Sequence, residues 1–211
     1  LIIESLFVAL VKLNVKKQRF LDTFREYTIQ NCVRVDQPFT RDELIQTKKF
    51  KYLILLPLQV SHYFSYNAHT TFQDQFDFMC YVLDRIDKDI GVVITQHSDW
   101  EDPLRGDGMI DYIANTYPNA IISDKLRKTR FCSQYLMDLV DGVISVSSTV
   151  GLQALIFQKP LFVVGNNQQL LTISSGNDIS KIKTILNKQS YKNHDAILYH
   201  LLTHYYLIEE H

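Results

Sequence analysis

Three hydroxyl side chains in a row, Ser147, Ser148 and Thr149, stand directly before Val150-Gly151-Leu152-Gln153-Ala154-Leu155, a run that reads as helix. The first N–H groups of a helix have no partner within it, and that end carries partial positive charge. Hydroxyls placed there add donors, and Gly151 lets a ligand or a neighbouring backbone come close. Such a turn suits a nucleotide phosphate. Simple N-capping, which Ser and Thr perform routinely, is the alternative reading.

The elements that would position this turn come from the hydrophobic pattern. Tyr52-Leu53-Ile54-Leu55-Leu56 is a continuous apolar run closed by Pro57, as expected of a strand buried on both faces of a parallel sheet. Gly91–Thr95, Ala120–Ile122, Gly142–Val146 and Pro160–Val164 read as four more strands. Between them the spacing predicts helices over Phe72–Asp87, through Ile110, Ile113 and Tyr117, over Leu126–Val140 and over Val150–Gln158. Ahead of the first strand, Leu6, Phe7, Leu10 and Leu13, then Phe20, Leu21 and Phe24, recur at helical spacing. Thr40 followed by Glu43 resembles a capped helix start. Ile179–Leu186 and Ala196–Ile208 are expected to be helical. Strand and helix alternate with short connections, which predicts an α/β fold with a doubly wound parallel sheet.

In such a sheet ligands bind beyond the carboxyl ends of the strands. The residues there are polar: Gln59, Ser61 and His62 after the first strand; Gln96, His97, Ser98 and Asp99 after the second; Ser123 and Asp124 after the third; Asn166, Asn167 and Gln168 after the fifth. Lys125, Arg127, Lys128 and Arg130 could meet an anionic sugar or lipid phosphate, with a solvated helix face as the alternative. Trp100 could stack on a base or pack locally. His200 and His204 have a spacing a metal could use, but no acidic or thiol partner matches it on that helix. No metal is expected, and no D-x-D motif ends a predicted strand.

Composition narrows the class. The 211 residues are 46% hydrophobic and 21% charged, with 22 basic and 23 acidic side chains and a net charge of -1. That balance argues against a nucleic-acid binder, which needs a basic excess. Cys32, Cys80 and Cys132 are scattered, so neither a zinc site nor a disulfide framework is indicated. Leu1–Val11 is apolar but carries Glu4 and lacks a basic flank, which predicts a packing helix rather than a signal peptide. The sequence starts at Leu, and an upstream portion is expected.

Three motifs then point to a family. Val146-Ser147-Ser148-Thr149-Val150-Gly151-Leu152-Gln153-Ala154-Leu155, followed by Gln158-Lys159-Pro160-Leu161, resembles the capsule polysaccharide biosynthesis family, whose motif runs N-S-T-V-G-L-E-A-L and then G-K-P-V. Leu56-Pro57-Leu58-Gln59-Val60 resembles its P-L-Q strand end, and Ile94-Thr95-Gln96-His97 its K-x-H-P strand end. They occur in the family's order across residues about 52–165.

The resemblance implies the Rossmann-like, donor-binding half of a GT-B glycosyltransferase similar to bacterial Kdo transferases of capsule or O-antigen (lipopolysaccharide) assembly. Residues 1–50 would be a helical lead-in or inter-domain connection, 51–173 the nucleotide-sugar-binding domain and 174–211 C-terminal helices. The donor would be CMP-Kdo, a substrate rather than a cofactor, and the acceptor a glycan or glycolipid. An N-terminal acceptor domain would be the missing partner. The expected place is cytoplasmic, with peripheral attachment to the inner membrane left open. Carried over by residue, Ser147, Ser148 and Thr149 would hold the phosphate, Gly151 would belong to the same nucleotide-sugar site, and Gln153 would face the ribose or base. His97 would line the cleft as the candidate catalytic group, and Gln59 would lie at its mouth.

There are departures. Gln153 stands where the family has Glu, and His97-Ser98 replaces His-Pro. After Gln59 no carboxylate appears until Asp74, although Asp99, Glu101 and Asp102 could substitute. A non-catalytic nucleotide-binding or interaction domain, or a GT-B enzyme using a UDP- or CDP-linked donor, therefore remain as alternatives.

Overall fold

A computed structural model describes residues 17–45, 50–60, 64–97, 108–188 and 194–204. Helix α1 (Lys17–Thr28) runs into a π-helical turn, and α2 (Arg41–Ile45) precedes strand β1 (Tyr52–Pro57). Helices α3 (Phe64–Asn67) and α4 (Gln75–Arg85) lead to β2 (Ile90–Thr95), and α5 (Met109–Thr116) to β3 (Ala120–Ile121). Helices α6 (Asp124–Lys128) and α7 (Cys132–Leu136) lead to β4 (Gly142–Ser145), and α8 (Val150–Ile156) to β5 (Leu161–Val163). Then come α9 (Gln168–Ile173), a 3-10 turn (Ile179–Lys181), α10 (Ile182–Lys188) and α11 (His194–His204).

The five strands form one sheet in the order β3-β2-β1-β4-β5, and every pairing is parallel. Helices cover both faces, because side chains alternate along each strand. Ile54 and Leu56 of β1 face a layer built by Phe78, Met79, Val82 and Leu83 of α4 and Ile113 of α5. Leu53 and Leu55 face the other layer, with Leu136 of α7, Leu155 of α8 and Leu170 of α9. The fold is the expected doubly wound, Rossmann-like α/β sheet. Phe20, Leu21 and Leu44 from the lead-in join Leu198 and Leu202 from the C-terminal segment in that second layer.

Local chemistry moves several expected boundaries. The helix expected from Phe72 begins at Gln75, because the Asp74 side chain accepts from Asp77 N and sets the first turn there. The helix expected over Leu126–Val140 is two short helices, α6 and α7, broken at Thr129 and at Phe131, whose φ is 57°. The helix expected to run to Gln158 stops at Ile156, and Gln158 takes a left-handed φ of 52°. Helix α9 was not anticipated, although Asn167 caps it by accepting from Leu170 N. Thr40 does cap α2 through Glu43 N. The expected helix over Leu1–Val11 and the end of the last one, after His204, lie outside the described residues.

One buried cation ties the outer helices to α8. The Arg25 side chain is 8% exposed and pairs with Asp195 Oδ1 at 2.6 Å. Its Nε donates to Ile156 O at 3.0 Å and Nη2 to Leu155 O at 3.2 Å. These are carbonyls at the end of α8, where a cation complements the helix dipole. Burial pushes the Asp195 carboxyl up, but the hydrogen bond and charge of Arg25 more than offset this and hold it below the usual value. A carboxylate with a lowered folded pKa stabilises above its unfolded pKa and stops doing so as pH falls through the folded one. Replacing Arg25 by Met is expected to cost about 2–3 kcal/mol at neutral pH. The gap to the parent protein should narrow below about pH 4. Urea denaturation across pH measures both.

Candidate functional site at the carboxyl edge of the sheet

From β1 the chain adds β2 and β3 on one side, then returns to place β4 and β5 on the other. Consecutive crossovers therefore leave β1 and β4 toward opposite faces, and a crevice opens between their carboxyl ends. Gln59 follows β1 and Ser147 follows β4, so both stand at that switch point.

The structure joins them directly. Gln59 Oε1 accepts from Ser147 N at 3.1 Å, and Gln59 Nε2 donates to Ser147 Oγ at the same distance. A backbone N–H can only donate, so the carbonyl end of the amide must face it, and the orientation of Gln59 follows. Behind this pair, Gln59 N donates to Oε1 of Gln75, the first residue of α4, which is 1% exposed.

The rest of the junction is also internally bonded. Ser148 N donates to the buried Ser145 Oγ at 3.0 Å. Val150 N donates to Ser148 Oγ, and Gly151 N to Ser148 O. Leu152 N and Gln153 N donate to Thr149 O. Thr149 is exposed, and neither its N–H nor its hydroxyl is hydrogen-bonded among the described residues. Ser148, one residue before the cap position, thus satisfies the first helical amide, and Thr149 keeps its donors for solvent or ligand.

Other expected site residues fall in different places. Gly151 is buried, and a Cβ on it would press on Leu170 and Leu161, so the neighbour it admits is protein. Gln153 is half-buried in the second turn of α8. Thr95 pairs with Pro57 across the sheet, so His97 and Gln59 each sit two residues past a matched position. His97 is exposed there. Ser61, His62, Ser98, Asp99, Trp100, Glu101 and Asp102 lie outside the described residues. Ser123 caps α6 through Leu126 N. The basic residues near it are engaged at the surface: Lys125 with Glu43, Arg127 and Lys128 with Asp124, and Arg130 over the Phe131 ring. His200 and His204 stack on each other, and among the described residues no group of three His, Cys, Asp or Glu could hold a metal.

Gln75 and Ser145 are not marked by the sequence pattern as edge residues, whereas Gln96 is among the polar residues expected after the second strand. Gln75 falls on the inward face of α4 with Phe78, Met79 and Val82, and a polar residue in that register is the signal that could have found it. Gln96 Nε2 is buried without a hydrogen-bond partner among the described residues. Thr95 Oγ1 and Ser133 Oγ lie 2.6 Å apart. Thiol chemistry has little support: burial pushes the Cys132 thiol up to about 12 and raises Cys80 as well, away from the thiolate form.

A second clasp closes the other side of the edge. Asn166 N donates to His69 O at 2.9 Å, joining the turn after β5 to the one after α3. Gly165, at φ 146°, makes this approach, and a Cβ on it would collide with the His69 carbonyl.

A parallel sheet with a polar, cross-linked crevice at its switch point places the chain among the doubly wound, Rossmann-like α/β folds. The family model described as capsule polysaccharide biosynthesis protein matches residues 16–208, and the chain belongs to that family. The family supports a role in making capsule polysaccharide. No curated protein and no solved structure matches the chain. Among the described residues no helix is long and apolar enough to cross a membrane.

Gly165→Ala combines a left-handed backbone with a backbone collision and is expected to cost about 2–3 kcal/mol. Thermal denaturation reads this as a lowered Tm, and an unchanged Tm would show that the clasp between the two turns is loose.

Proposed function

We propose that this chain is the donor-binding half of a GT-B glycosyltransferase of capsule or O-antigen assembly. It would move a sugar, Kdo, from a CMP-activated donor to a glycan or glycolipid acceptor supplied with a second domain. The observation that carries this reading is the placement of the serine-threonine junction at the switch point of a chain in the capsule family. A nucleoside monophosphate leaving group needs its developing charge met by preorganised donors. Thr149, with N–H and hydroxyl uncommitted, and the Ser147 hydroxyl stand where such an anion would meet the start of α8. Gln153, one turn further along, would face the ribose or base, and His97 would line the crevice on the β2 side.

A non-catalytic binding role has an observation in its favour too. Most amides of the junction are spent inside the protein, and no carboxylate follows Gln59 before Asp74. A donor with another base would use the same donors, because phosphate contacts do not read the base.

Titration calorimetry with CMP, UMP and CMP-Kdo separates these readings. Heat with the cytidine nucleotides alone is the expected result, and no heat with any nucleotide would leave only an interaction role. Thr149→Val removes a hydroxyl that bonds to nothing among the described residues, so stability should stay within about 0.5 kcal/mol. Its affinity for CMP should fall by roughly 1–3 kcal/mol. Unchanged affinity would show that the anion does not sit there.

A further inference from the structure

We infer that Gln59 is a carboxamide latch that keeps the switch-point crevice closed until an anionic ligand takes its place. The inference rests on the reading above, that a nucleotide phosphate enters this crevice. Gln59 Oε1 stands 3.1 Å from Ser147 N and 3.4 Å from Ser147 Oγ, so one carbonyl oxygen faces both donors that Ser147 owns. A phosphate oxygen bound by Ser147 would need the same position. The two acceptors compete for it.

The residue is built to move at its side chain alone. Its backbone N–H is fixed to Gln75 Oε1 at 2.9 Å, and the preceding residue is fixed by Leu58 N to Thr95 O at 2.8 Å. The side chain is only half-buried, so water can replace its bonds as it swings away. Breaking a neutral hydrogen bond that water can replace costs little, whereas a charge-assisted bond to phosphate returns more. The exchange therefore favours an anion over a neutral ligand, which could not repay the lost pair. The latch is a filter for charge as well as a closure.

Two variants and one ligand-free measurement test it. In Gln59→Ala the competitor is gone, and CMP should bind roughly three- to tenfold more tightly. In Gln59→Glu the clasp on Ser147 persists with a negative charge, and CMP should bind at least about tenfold more weakly. That loss should shrink as pH falls and the new carboxyl protonates. Hydrogen exchange at the Ser147 amide, followed by NMR without ligand, should be slow in the parent protein and faster in Gln59→Ala. Weaker or unchanged CMP binding by Gln59→Ala would overturn the latch, the weaker case assigning Gln59 a direct contact with ligand. Equal Ser147 exchange in the two proteins would overturn it without any nucleotide. If the parent protein and both variants bind no CMP while exchange still differs, the clasp stands as a closure and the nucleotide reading is what fails.

Discussion

The return of the chain across β1, which sets β4 on the side of it away from β2, is the constraint on which the carboxyl edge depends. Because crossovers between parallel strands keep one hand, that return sends α8 to the face opposite α4. The turns after β1 and β4 must then diverge, and a gap is left above two strands that are hydrogen-bonded to each other below. The gap exposes backbone groups that would otherwise lie in a covered layer. Gln59, Ser145 and Ser148 satisfy them. The polar composition of this edge is thus a consequence of topology before it is a matter of ligand chemistry.

Support for that edge comes from the opposite end of α8. Arg25 takes the last carbonyls of the helix and anchors α1 and α11 to it through Asp195. A seven-residue helix has too few internal bonds to hold its direction alone, so its orientation depends on tertiary contacts at both ends. At the first end Gly151 lets it lie against Leu170 and Leu161. The position of Thr149 is therefore set by packing and by a buried ion pair, neither of which touches the crevice. A lead-in and a C-terminal segment that looked peripheral are what hold the helix of the candidate site in place.

The parts of this arrangement legible in the sequence were those written in hydrophobic pattern. Five apolar runs stood out because strands buried on both faces have no polar face to interrupt them, and the strands lie where those runs do. Helix ends were less legible, since Asp74, Phe131 and Gln158 act through a cap or a left-handed backbone that no periodicity records. Helix α9 escaped notice because its start, Asn166-Asn167-Gln168, reads as polar loop. Of the candidate site, Gln59 and Ser147 were both singled out, yet nothing in their spacing of 88 residues could say that they bond to each other. Gly151 offers room to a ligand or a neighbouring backbone on sequence alone, and long-range packing sets the Leu170 and Leu161 side chains against it.

The internal bonding of the junction changes what the serine-rich motif can do chemically. A helix start with all its amides open would bind any anion, and would do so through backbone groups that carry no selectivity. Here Ser145, Ser148 and Gln59 each consume one of those amides, and among the described residues Thr149 alone keeps an uncommitted N–H. An anion that leaves Gln59 in place gains one backbone bond and loses little on leaving. Tight capture then requires contacts beyond the phosphate, from Gln153 on the helix or from residues facing the crevice across the gap. On the proposed donor-binding reading, selectivity for a whole nucleotide sugar follows more readily from such a depleted site than from a full anion nest, because the phosphate alone is not enough to hold.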